Sequence, residues 1–174
     1  GSVSLFFIVI TLFLALVSYS SSDPSFSTSA GNVEHNWMGI LGSYSSDFLL
    51  LIFGPPVILL LPLMAIFANR LFRHTAQPEW KKQLFGAIIS ILLIATGLAL
   101  WFPESQADLP SGWGGLSGML AAKGINAGLA AISQSWSGVV SGLLTAATVA
   151  GGLVLGYSSL RLDKPLFRSI VKLP

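Results

Sequence analysis

The chain contains no cysteine and carries little charge, with Asp, Glu, Lys and Arg making up 9% of its 174 residues. Without cysteine there is no disulfide framework, no thiolate nucleophile and no Cys-ligated zinc site, and the redox compartment is left open. The charge deficit excludes a soluble composition, in which about 25% of residues are charged. A net charge of +2 with no basic stripe excludes a DNA-contacting domain that binds by releasing counterions from phosphates. What fills the chain instead is hydrophobic, 53% of residues, so the bilayer is its solvent.

A spanning helix needs about 20 mostly apolar residues. Phe48 to Phe67, Leu84 to Trp101 and Ser137 to Tyr157 supply that length. A fourth stretch, Leu5 to Tyr19, is apolar but short, covering about 22 Å of a core about 30 Å thick. Gly1 and Ser2 resemble an expression scar, which predicts that the natural helix begins earlier. The rival reading is a signal peptide, but no basic residue precedes Arg70 and there is no clean A-x-A cleavage site. Aromatic collars mark the edges: Tyr19, then Trp80 and Trp101, then Trp136 and Tyr157.

The expected fold is therefore an all-α membrane protein with four transmembrane helices, forming a single domain over residues 1–174. Spans are expected at about 4–20, 48–67, 84–101 and 136–157, with outer loops 21–47 and 102–135, an inner loop 68–83 and a tail 158–174. Lys and Arg are retained on the cytoplasmic side of short loops. Arg70, Arg73, Lys81 and Lys82 share one face with Arg161, Lys164, Arg168 and Lys172, whereas the opposite loops hold Asp23, Glu34, Asp47, Glu104 and Asp108 with Lys123 as their sole base. Both termini are expected to be cytoplasmic.

The segment Gly112 to Ile132 is half apolar, with Leu116, Met119, Ala122, Ile125, Leu129 and Ile132 at helical spacings. Its six glycines and central Lys123 make it a poor span. An interfacial or re-entrant helix, broken near Gly124, is expected, with an ordinary packed loop as the alternative. In the fourth span, Gly138, Gly142, Ala146 and Ala150 recur every four residues, a small-residue stripe that lets backbones approach closely. It packs either inside the bundle or between protomers, with the first preferred. Gly54, Pro55, Pro56 and Pro62 interrupt the second span and predict a kink near Pro55.

Chemistry finds few footholds. No span interior holds an ionisable residue, which argues against a proton or solute pathway. His35 and His74 lie in loops on opposite sides and have no carboxylate at ligand spacing, so both read as solvated loop residues and no metal or cofactor is expected. There is no P-loop. Gly112, Gly114, Gly115 and Gly118 approach the dinucleotide fingerprint without a preceding strand, and Ser169 and Lys172 form an isolated S-x-x-K. No catalytic residue is assigned.

In the first outer loop, Asp23 or a neighbouring serine can accept from backbone amides while Pro24 sets a turn, with Phe26 packing back on the membrane surface. Asp47, just before Phe48, reads as a cap on the N-terminal end of span two. Trp37 and Met38 are candidates for touching a partner, against the alternative of lipid anchoring.

The run Leu16 to Ser29 followed by Asn36 to Gly54 resembles the N-terminal membrane domain of the FtsK/SpoIIIE family of bacterial DNA translocases. The matching elements are Ser22, Asp23, Pro24, Ser25, Phe26 and Ser27; the Gly39 and Gly42 pair leading to Asp47; and Gly114, Gly115 and Gly118 in the second outer loop, which the resemblance makes periplasmic. The Pro55-Pro56 pair departs from the family pattern, where small or aromatic residues are expected. The resemblance implies a multi-pass inner-membrane anchor at the division septum that contacts other cell-division membrane proteins. It also implies hexameric assembly, with DNA handled only by an ATPase motor that this chain lacks. A small transporter or channel subunit using the broken second span is the alternative.

Overall fold

The computed structural model describes residues 2–29, 34–73, 80–103, 108–130 and 137–160. Six α-helices succeed one another: α1 (Ser2–Val17), α2 (Gly39–Phe53), α3 (Leu60–Phe72), α4 (Trp80–Trp101), α5 (Gly115–Ala130) and α6 (Ser137–Leu160), with a 3-10 helix, Pro55–Leu59, leading into α3. No strand occurs among the described residues. Among the described residues, three stretches are long and apolar enough to cross a membrane: Pro55–Phe72, Trp80–Trp101 and Gly138–Leu160. α1 is apolar but only 16 residues long, about 24 Å. Of the expected collar, Trp80, Trp101 and Tyr157 are exposed; Trp136, His74, Ser169 and the four basic tail residues lie outside the described residues.

α4 and α6 form the principal seam. They run antiparallel: Gly97 meets Thr148 and Val149, Gly152 meets Ile94 and Ser90, Gly156 meets Ser90, and Gly86 meets Ser159. A Cβ on Gly152 would stand 2.6 Å from Ile94 Cγ1, and one on Gly97 would stand 2.5 Å from Val149 Cγ2. The glycines therefore set how near the two backbones come. The Ser90 hydroxyl donates across the seam to the Gly152 carbonyl at 2.6 Å, so a polar group buried between helices is satisfied.

The expected stripe is not part of this seam. Gly138, Gly142, Ala146 and Ala150 are all exposed, and a Cβ on Gly138 or Gly142 would meet nothing within 4 Å. The seam uses Thr145, Val149, Gly152, Gly156 and Ser159 instead, spaced by four, three, four and three. That seven-residue period keeps one line of an antiparallel pair in register, whereas a strict four-residue repeat drifts around the helix.

The second span also differs from expectation. Leu5 of α1 lines one cavity with Phe67, Arg70 and Trp80, and the rings of Phe67 and Trp80 stand 6.2 Å apart. Leu5 and Trp80 thus share a level at the end bearing Arg70, Arg73, Lys81 and Lys82, the basic end. From there the helical rise is about 15 Å to Ala15 and about 22 Å to Ala95. The chain entering α2 is held at Ala15 by the Asn36 amide, 2.9 Å from its carbonyl. Gly54, at the far end of α2, abuts Trp113, Gly114 and Gly115, and Gly114 in turn lies against Ala95. Both ends of α2 are thus tied to other elements, the first to α1 and the last to the turn before α5. The stretch long and apolar enough to cross begins after α2, at Pro55–Phe72, whereas 48–67 straddles the break between α2 and α3. The division falls at Gly54, whose φ of +67° ends α2 and is strained for any residue with a Cβ, followed by two prolines that cannot donate into a continuing ladder.

α5 is continuous through Gly124, contrary to the expected break. Glycine lowers helix propensity by about 1 kcal/mol without forcing a kink. Gly115, Gly118 and Ala122 supply a buried small-residue face, with Gly118 set against Ala95 and Thr96 of α4.

Candidate functional site

At the end opposite the basic one, the loop between α1 and α2 is organised by two buried carboxylates, Asp23 and Asp47, exposed to 1% and 0%. Asp23 accepts from the His35 backbone N–H at 2.9 Å and from the Asn36 backbone N–H at 2.8 Å. The His35 ring places Nδ1 2.9 Å from Oδ1 of the same carboxylate. Burial alone would raise the Asp23 pKa, but these donors outweigh it and hold the carboxyl below its ordinary value of 3.8. Neither His35 nor Asn36 was legible as its partner: His35, read as a solvated loop residue, has a 60% exposed side chain yet makes this contact.

Asn36 extends the network. Its Nδ2 donates to the Ala15 and Ser18 carbonyls at 2.9 and 3.4 Å, and its Oδ1 accepts from the Met38 N–H at 3.0 Å. Ser18 Oγ accepts from the Trp37 N–H at 3.0 Å. The buried Asn36 therefore ties α1 to the entrance of α2, and no feature of its spacing announced it.

Asp47 does not cap a helix. It sits in the third turn of α2, which begins at Gly39, and accepts from the Ser27 backbone N–H at 3.1 Å and from the Ser27 hydroxyl. The Ser43 hydroxyl donates to the Pro24 carbonyl at 2.6 Å. The Ser22 to Ser27 segment is thus held at Asp23, Pro24 and Ser27, while Ser22 and Phe26 are exposed. Phe26 turns toward α2, its ring 5.0 Å from Tyr44 edge-on and 6.0 Å from Phe48. Ser25 anchors the turn through its N–H, which donates to the Thr28 carbonyl at 3.1 Å.

The two loop glycines have separate reasons. Gly39 has φ +63°, in the region that favours glycine. At Gly42 a Cβ would collide with Asn36 Oδ1 and stand 2.5 Å from Met38 Cβ. Gly114, Gly115 and Gly118 form a second cluster against Gly54 and Ala95 at the other end of α2. Gly54, read only as part of a kink, belongs to this cluster.

The outward surface of the first cluster is apolar. Trp37 is 69% exposed and Leu41 81%, with Ile40 also exposed and Met38 half-buried. A hydrogen-bonded loop carrying exposed apolar side chains can bind a partner or sit in a membrane interface. No group of three or more metal-ligating side chains is found among the described residues.

Residues 1–162 match the profile of the 4TM region of DNA translocase FtsK/SpoIIIE. The chain is 31% identical over 126 residues to the DNA translocase FtsK of Pseudomonas syringae pv. syringae, covering 66% of this chain and 16% of the relative. It is 32% identical over 113 residues to the protein of that name from Pseudomonas putida, covering 62% and 14%. It is 30% identical over 105 residues to that from Rickettsia bellii, covering 60% and 14%. The matched region spans about one-seventh of the length of these relatives. No solved structure matches. With nearly its whole length matching that profile and, among the described residues, an all-helical framework with three helices long and apolar enough to cross a bilayer, the chain belongs to the 4TM membrane region of the FtsK/SpoIIIE family of DNA translocases.

Proposed function

We propose that this chain is the non-catalytic anchor of a DNA translocase in the bacterial inner membrane, serving septal targeting and protein contact in cell division and chromosome segregation. The observation that carries the reading is the match of residues 1–162 to the family's membrane region, together with the names of the relatives. In this reading α1, Pro55–Phe72, α4 and α6 make four crossings with both termini cytoplasmic. The Asp23 and Asp47 networks then lie on the periplasmic face, and α5 is interfacial there. Trp37 and Met38, on the hydrogen-bonded loop, touch other division membrane proteins. The open Gly138 to Ala150 stripe is free for a neighbouring copy in a hexameric assembly. DNA is engaged only by the motor. The channel alternative draws no support from the break in the second span, because the Trp113–Gly115 turn fills it.

The test is the position of a fluorescent fusion of the chain in dividing cells. Enrichment at the septum is expected, with loss of enrichment but not of membrane level on combining Trp37→Ser and Met38→Ser. A uniform membrane signal from the unaltered chain would sink the targeting role. Unchanged enrichment in the double variant would remove Trp37 and Met38 from it.

A further inference from the structure

Beyond the first-loop cluster, a cavity of about 390 Å³ opens between the last turns of α4, the Pro110–Gly114 turn and α5. One wall is apolar, made by Phe102, Trp113 and Met119, with the Phe102 and Trp113 rings 5.7 Å apart. Among the described residues, the polar lining consists of Ser111, Lys123 and Asn126, with no carboxylate. All three can donate hydrogen bonds, and Lys123 adds a full positive charge.

Lys123 stands out against its surroundings. Among the described residues on the loop side of the molecule opposite the basic end, it is the only Lys or Arg, whereas Asp23, Glu34, Asp47 and Asp108 lie on that side. No ion pair of Lys123 occurs among the described residues. The cavity also sits at a membrane edge: Trp101, which closes the α4 span, is 64% exposed, and Phe102 and Trp113 are exposed beside it. Aromatic side chains at that level pack against lipid near the headgroups.

We propose that this cavity binds the headgroup phosphate of one anionic phospholipid. Lys123, Asn126 and Ser111 face the phosphodiester, and Phe102, Trp113 and Met119 cover the glycerol and the first acyl carbons. Two features select this occupant. The donor set is complementary to an anion that carries several acceptor oxygens, and the apolar wall beside it suits an amphiphile rather than a fully hydrated ion. Membrane insertion alone is required, so the inference does not depend on septal targeting.

Native mass spectrometry of the purified chain with added phosphatidylglycerol or phosphatidylcholine tests it. The intact chain is expected to retain one phosphatidylglycerol in preference to phosphatidylcholine. Lys123→Gln should weaken that retention about tenfold, the effect of losing one charge-assisted hydrogen bond, while Lys123→Arg preserves it. Met119→Trp, which fills the cavity and leaves the charge, should also abolish it. Lipid held at the basic end is the same in all four proteins and subtracts out. Equal retention by the intact chain and Lys123→Gln overturns the proposal. Displacement of the lipid by glycerophosphate at matching concentration overturns it in favour of a soluble anion.

Discussion

Two backbone amides and one imidazole converge on the Asp23 carboxylate, which is 1% exposed. Removing it strands the donors of a loop that has few apolar contacts with which to compensate. Asp23→Ala is expected to destabilise the chain by about 3 kcal/mol, and Asp23→Asn by less because one acceptor survives; denaturation in mixed detergent micelles measures both. The same site sets an acid limit. Its folded pKa lies below the ordinary 3.8, so its contribution is fully present above that value and is lost as pH falls below it toward the depressed folded value. An Asp23→Asn variant should show a flatter loss of stability with acid in that window, and parallel curves would contradict this. The acceptor itself was legible, because Ser-Asp-Pro is a turn signature. Its donors were not, since they come from residues twelve and thirteen positions later, a separation that spacing rules do not constrain. Asp47 was misread for a different reason. The serines before it look like loop, but Ser46 donates to the Gly42 carbonyl at 2.8 Å and Ser43 to Pro24, so their hydroxyls are satisfied within or beside the helix and α2 starts at Gly39.

Among the elements, α6 separates two kinds of small residue. Gly152 faces Ile94 and Ser90 at contact distance, whereas Gly142 meets nothing within 4 Å. Gly152→Leu should therefore force α4 and α6 apart and destabilise the chain by about 2 kcal/mol, while Gly142→Leu should leave monomer stability unchanged. Unfolding of the two variants in detergent, at a dilution where the chain is monomeric, checks the contrast; similar losses would mean that the seam has been assigned to the wrong face. Small residues in a helix indicate close packing but not its direction, and α6 carries them on two faces about 80° apart. The deciding information lies in the partner: Gly86, Ser90, Ile94 and Gly97 repeat on α4 with the complementary spacing. The breaks were legible where covalent chemistry dictates them, as at Gly54-Pro55-Pro56. At Gly124 no break occurs, because propensity is overridden by burial of the opposite face of α5.

For the whole molecule, the course of α2 decides which residues a membrane covers. Hydropathy places the second span at 48–67, because Phe48 to Phe53 is as apolar as the stretch beyond the prolines and a window cannot register a change of direction. Three-dimensional closure can: the Asn36 tie to Ala15 and the Gly54 contact with Trp113–Gly115 hold both ends of α2 against neighbouring elements. Leu41, Ser45 and Phe48 form the exposed face of α2, and the absence of cysteine makes single-cysteine labelling clean. If α2 lies across, Leu41→Cys and Phe48→Cys should react with a membrane-impermeant maleimide from the same side at comparable rates, and Leu84→Cys, near the basic end of α4, should not react from that side. A helix passing straight into the bilayer would instead carry Phe48 about 10 Å deeper than Leu41 and shield it. Shielding of Phe48 with free reaction at Leu41 would restore the 48–67 span and undo the placement of the first-loop network on an exposed platform. Matched reaction would leave Pro55–Phe72 as the crossing, with the two prolines at its mouth, where missing backbone donors are tolerated because the first turn of a helix has none to satisfy internally.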